Sequence, residues 1–110
     1  MLNNKNQFNI VVCASGGGGN FQTLIDNQKK FDYNINLLIV DKICGAIKRA
    51  VKSNIEYVVI EKKKIKDNFF EVLDSKIPAD TNLIVLAGFM PIIPSKFCQK
   101  RHKKIINTHP

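Results

Sequence analysis

An amide, a hydroxyl and an imidazole stand in a row at Asn107, Thr108 and His109, directly after the apolar pair Ile105 and Ile106. Two β-branched apolar residues read as the end of a buried strand, so the polar run falls where a strand gives way to a loop. In an open α/β sheet, ligands bind beyond the carboxyl ends of the strands. An Asn and a His one residue apart there put a hydrogen-bond donor and a titratable group on one reacting centre. His102 sits in the basic stretch 100–104 without such a partner and reads as surface.

A second chemical signal is Ser15 followed by four glycines, Gly16 to Gly19, and Asn20. Bare amides after a first strand and before a first helix form an anion site, strengthened by the positive helix end. Glycine lets a phosphate approach the main chain closely. A dinucleotide fingerprint would need a third glycine where Phe21 or Gln22 stands, although Asp41 lies where a ribose-binding acid is expected. No G-K-[ST] follows, so the Walker pattern fails. A single phosphomonoester suits the loop better than a pyrophosphate. Third comes the apolar stretch Leu86-Ala87-Gly88-Phe89-Met90-Pro91-Ile92-Ile93. It is suited to an aromatic ring system whose polar edge bonds to main-chain groups, or to packing under the helix that follows.

These stretches need elements to hold them. Phe8–Ala14 is a nearly continuous apolar run, as expected of a strand covered on both faces. Asn20 is expected to cap a helix over about 21–29, with Phe21, Leu24 and Ile25 toward the sheet. Strands are predicted over 36–40, 56–60, 82–87 and 104–107, with helices over 45–53 (Ile47, Ala50 and Val51 inward) and 66–75. Residues 61–64 read as a charged connection, and Ser95 as the cap of a short helix to about Lys100. Strict alternation implies right-handed crossovers and a parallel, doubly wound sheet. The expected class is therefore α/β: a three-layer, Rossmann-like, mostly parallel sheet of about five strands. Residues 1–7 read as a polar extension and 8–110 as one nucleotide-binding-type domain, incomplete at its carboxyl end.

Composition excludes several classes. The 110 residues are 45% hydrophobic and 24% charged, ordinary for a folded domain. No apolar run approaches the roughly 20 residues of a membrane span, and no signal-peptide core precedes the first strand, so the expected location is the cytoplasm. Cys13, Cys44 and Cys98 include no C-x-x-C pair, which argues against a disulfide framework and a zinc site; Cys13 reads as a small core residue. The net charge is +8, but of the 17 basic residues only Arg49 and Arg101 are arginines. Without aromatic platforms or an RNA-binding signature, no nucleic-acid partner is expected, and the charge reads as a solvated Lys-rich surface.

S-G-x-G-x-N after the first strand, L-A-G-F-M at 86–90, and I-N-x-H-P at 106–110 occur here in that order. In this the chain, from about Phe8 to Pro110, resembles phosphoribosylglycinamide formyltransferase, the glycinamide ribonucleotide transformylase family of purine synthesis. The resemblance implies that Gly18, Gly19 and Asn20 hold the 5′-phosphate of glycinamide ribonucleotide. It implies that Met90, Pro91, Ile92 and Ile93, with Asn107, line the site for 10-formyltetrahydrofolate, and that Asn107 and His109 are two of three catalytic residues. Direct transfer through a tetrahedral intermediate requires no metal. Two departures stand out: Pro91 where the family usually has Arg, and Gly19 where relatives often have Ser. Family members are about twice this length, so an amino-terminal fragment, inactive alone, is expected, with a catalytic Asp beyond Pro110. Methionyl-tRNA formyltransferase, with a similar N-x-H motif, is the alternative within the fold; a non-catalytic nucleotide-binding module is the alternative outside it. A sheet cut after its fifth strand favours pairing with another chain, a homodimer among the options.

Overall fold

The computed structural model describes residues 7–101 and 104–108. Its central strand is β1 (Phe8–Ala14), in which Val11, Val12, Cys13 and Ala14 are wholly buried. Such burial on both faces requires neighbours on both edges and helices above and below. The neighbours are β2 (Tyr33–Val40) and β4 (Leu83–Ala87), with β3 (Glu56–Val59) beyond β2 and β5 (Ile105–Thr108) beyond β4. Every pairing is parallel and the order is β3-β2-β1-β4-β5. The strand order reverses between β1 and β4, and crevices at the carboxyl rim of open α/β sheets lie at such a switch point.

Side-chain alternation divides the core into two layers. Ile10, Val12, Ala14, Leu38, Val40 and Val85 face α1 (Gly19–Asp26) and α3 (Ala46–Lys52), whose Phe21, Ala46 and Ala50 complete that layer. Val11, Cys13, Ile39, Ile84 and Leu86 face α5 (Phe69–Lys76) and α6 (Ser95–Lys100), which contribute Phe69, Leu73 and Phe97. Two further helical turns, α2 (Gln28–Phe31) and α4 (Lys62–Ile65), and a 3₁₀ turn at Lys66–Asn68 complete the chain. The three-layer, doubly wound architecture expected from the sequence is present. Among the described residues, no helix is long and apolar enough to cross a membrane.

Several local expectations are corrected. The first helix begins at Gly19 with Gly18 as its cap, so Asn20 lies inside the first turn and does not cap it. It stops at Asp26, and Gln28 opens α2. The second strand starts at Tyr33 because that segment pairs with Phe8 to Ile10, and the Gln28 side chain accepts the Ile35 N–H at 2.9 Å. The charged stretch after β3 winds into α4 rather than running as a loop. Pro94, not Ser95, occupies the cap of α6. Val51 is exposed, leaving Ala46 and Ala50 as the buried face of α3. Finally β5 extends through Thr108, which pairs opposite Ala87.

Candidate active site at the carboxyl rim

Two loops and the end of β5 meet at the switch point. Ser15, buried at the end of β1, donates its N–H to the Gly88 carbonyl at 3.2 Å, and its hydroxyl accepts the Met90 N–H at 2.8 Å. These two bonds tie the glycine loop of β1 to the apolar loop of β4. Gly88 adopts φ +71°, a left-handed conformation that glycine takes without strain and that turns the chain sharply off β4. Beyond it the side chains alternate. Pro91 is buried and Ile93 packs against the α5–α6 layer, whereas Met90 and Ile92 are 74% and 89% exposed. Half of the predicted folate segment therefore packs into the domain, and half presents apolar surface at the rim.

The glycine loop lies against the start of α3. The Gly16 carbonyl accepts the Ala46 N–H at 3.0 Å, and the Gly18 carbonyl accepts the Gln22 N–H at 2.8 Å as α1 begins. Gly18 has φ +83°, and a Cβ there would stand 3.0 Å from Ala46 Cα. Gly16, Gly17 and Gly19 are exposed and contact nothing that a methyl group would displace, except that Gly45 packs on Gly17.

The third part of the rim is the end of β5. Asn20 on α1 donates its side-chain N–H to Thr108 Oγ1 at 3.2 Å, and Thr108 donates in turn to the Leu86 carbonyl at 3.2 Å. The end of β5 and the first turn of α1 are thereby neighbours. Asn107 lies opposite Leu86 in the ladder and is exposed; strand alternation places it on the face opposite to Thr108. His109 lies outside the described residues. Gly18, Gly19, Asn20, Met90, Pro91, Ile92, Ile93 and Asn107 thus converge on one rim.

Thr108 is the residue that sequence reasoning missed. The alternation along β5 that faces Asn107 away from α1 turns Thr108 toward it. Asp41 was read as a candidate ribose ligand, but it continues the face of Ile39 and Cys13. Its Oδ1 is buried and has no hydrogen-bond partner among the described residues. Burial, then the Asp41 charge, pushes the Cys13 thiol up to about 12, so Cys13 is an inert core thiol and not a nucleophile. Among the described residues no group of three His, Cys, Asp or Glu side chains is placed to hold a metal ion. A groove of about 550 Å³ runs between α5 and α6 past Phe70, Asp74 and Phe97, and none of the predicted site residues lines it.

A parallel doubly wound sheet with a glycine loop after its first strand and an apolar loop beside it defines a Rossmann-like α/β protein. More narrowly, the family described as formyl transferase matches residues 8–110, and the chain belongs to that family. It is 35% identical over 109 residues to phosphoribosylglycinamide formyltransferase of Haemophilus influenzae, covering 92% of this chain and 50% of that protein. To the human trifunctional purine biosynthetic protein adenosine-3 it is 31% identical over 112 residues, 96% of this chain and 11% of the other. The crystal structure of phosphoribosylglycinamide formyltransferase from Coxiella burnetii, in complex with CHES, superposes with a TM-score of 0.89 at 31% identity. That match covers 94% of this chain and 52% of the other. The chain thus spans about half the length of the single-function relatives and far less of the trifunctional ones.

Proposed function

We propose that this chain takes part in transfer of a formyl group from 10-formyltetrahydrofolate to the amine of glycinamide ribonucleotide. In this reading the main-chain amides of Gly18, Gly19 and Asn20 receive the 5′-phosphate. The exposed Met90 and Ile92, with the adjoining Pro91 and Ile93, form the wall for the folate ring. The substrate amine attacks the formyl carbon, the C=O electron pair moves onto oxygen, and as the tetrahedral intermediate collapses the C–N bond to the folate breaks while the proton lost by the amine ends on the leaving folate nitrogen. Asn107 donates a hydrogen bond to the developing oxyanion and protonated His109 stabilises the same charge. Pro91 has no main-chain donor and is itself buried, and the Met90 N–H is bound by Ser15, so in this reading the folate would bond to main-chain groups beyond Pro91.

The observation that carries this reading is the hydrogen bond from Asn20 to Thr108. It joins the helix start that follows the glycine loop to the end of the strand that bears Asn107, which supports a substrate that spans this rim. The test is formation of formylglycinamide ribonucleotide from the two substrates by the intact protein, with Asn107→Ala and His109→Ala variants alongside. Each variant is expected to lower kcat by about 10²–10³, the usual effect of removing one oxyanion donor. Unchanged turnover in both would remove these residues from the chemistry. Transfer to methionyl-tRNA in place of the ribonucleotide would overturn the substrate assignment.

A further inference from the structure

The glycine loop works as an anion site only if its N–H groups face outward, and four glycines in a row do not enforce that by themselves. A trans peptide unit is planar, with C=O and N–H pointing in opposite directions, and no peptide bond among the described residues is cis. The Gly16 carbonyl is bound by the Ala46 N–H at 3.0 Å, so the Gly17 N–H points away from α3. The Gly17 carbonyl is bound by Arg49 Nε at 2.6 Å, so the Gly18 N–H points away from Arg49. Neither N–H meets an acceptor among the described residues. Arg49 Nη1 also donates to Gln22 Oε1 on α1 at 3.2 Å, which holds the guanidinium plane in place. The contact is close: a Cβ on Gly18 would stand 3.1 Å from Arg49 Cδ, and one on Gly45 would stand 3.1 Å from Gly17 Cα.

We propose that Arg49 is the positioning residue of the anion loop. Its guanidinium clamps the Gly17 carbonyl and Gln22 together, turning the loop's amides toward the phosphate before the phosphate arrives. A charge-assisted bond to a carbonyl is stronger than a neutral one, and without it the Gly17–Gly18 peptide is free to flip. A flipped peptide would turn a carbonyl oxygen, instead of an N–H, toward an anion. Arg49 also supplies positive charge close to the loop, but a diffuse charge would not set the peptide orientation. The inference rests on the reading of this loop as a phosphate site.

The test uses the full 110-residue chain, labelled for NMR, with inorganic phosphate and glycinamide ribonucleotide as probes. Arg49→Ala is expected to weaken phosphate binding at least about tenfold, the effect of losing one charged hydrogen bond. In the ligand-free protein the amides of Gly17 and Gly18 should lose order in that variant while the β1 and β4 amides keep theirs. Arg49→Lys keeps the charge but not the two-point hold, and is expected to recover only part of the affinity. Gln22→Ala should show a smaller loss in the same direction. Loop amides as ordered in Arg49→Ala as in the wild type, or full recovery with Lys, would overturn the positioning role. Wild-type loop resonances unmoved by either probe would instead overturn the phosphate reading, and the order of the ligand-free loop would still decide whether Arg49 holds it.

Discussion

At the scale of single residues, the glycines of the loop are not equivalent. Gly18 combines φ +83° with a Cβ position 3.0 Å from main-chain atoms of Ala46, so a side chain there meets both backbone strain and a steric clash. Gly16 has neither constraint. Gly18→Ala is expected to destabilise the protein by about 1–3 kcal/mol, whereas Gly16→Ala should be neutral or stabilising by up to about 1 kcal/mol through the unfolded chain. Urea denaturation of the two variants decides this, and equal stabilities would show that the left-handed turn is not enforced. The motif S-G-x-G-x-N was visible in the sequence, but which glycine is obligatory was not, because the clash partner lies on α3. Cys13 shows the opposite case: its burial was legible from the apolar run around it.

At the scale of elements, most strands and helices followed from hydrophobic periodicity, and the errors fell where a remote contact moved a boundary. Asn20 failed as a cap because its side chain is committed to Thr108, 88 residues away. The α5–α6 pair offers a test of its own. Asp74 on α5 accepts Lys100 Nζ at 2.5 Å and Arg101 Nη2 at 2.6 Å, joining the two helices through the end of α6. Burial alone would raise its pKa, but the hydrogen bonds and charges of Lys100 and Arg101 outweigh that and hold its carboxyl below the usual carboxylate range. A carboxyl depressed in the folded state adds stability above its unfolded pKa of about 3.9 and loses it as pH falls through the lower folded value. Thermal melts from pH 6 downward should therefore show the wild type losing more stability below about pH 4 than Asp74→Asn. Parallel curves for the two proteins would mean that the ion pair adds nothing.

At the scale of the molecule, the sheet leaves β5 as an edge strand among the described residues, with Ile106 half exposed on it. Unpaired strand edges carrying apolar side chains invite pairing with another chain, and a charged residue at the edge opposes it. The wild-type chain is expected to self-associate with rising concentration, and Ile106→Lys to shift sedimentation toward the monomer. Identical sedimentation profiles would move any association to another surface. The formal charge of +8 keeps separate molecules apart at low ionic strength, so the contrast should be sharper in salt.

The fold class, the strand carrying each motif and the rim those motifs occupy were set by the sequence alone, because periodicity of two or 3.6 residues is written within a few neighbours. Strand order brought β1, β4 and β5 side by side, and no local pattern encodes which strands become neighbours. Tertiary structure also decided the state of the glycine loop: its carbonyls are bound by Ala46 and Arg49, the latter 32 residues from Gly17. Glycine permits many conformations and selects none. The selection comes from the helix packed against it.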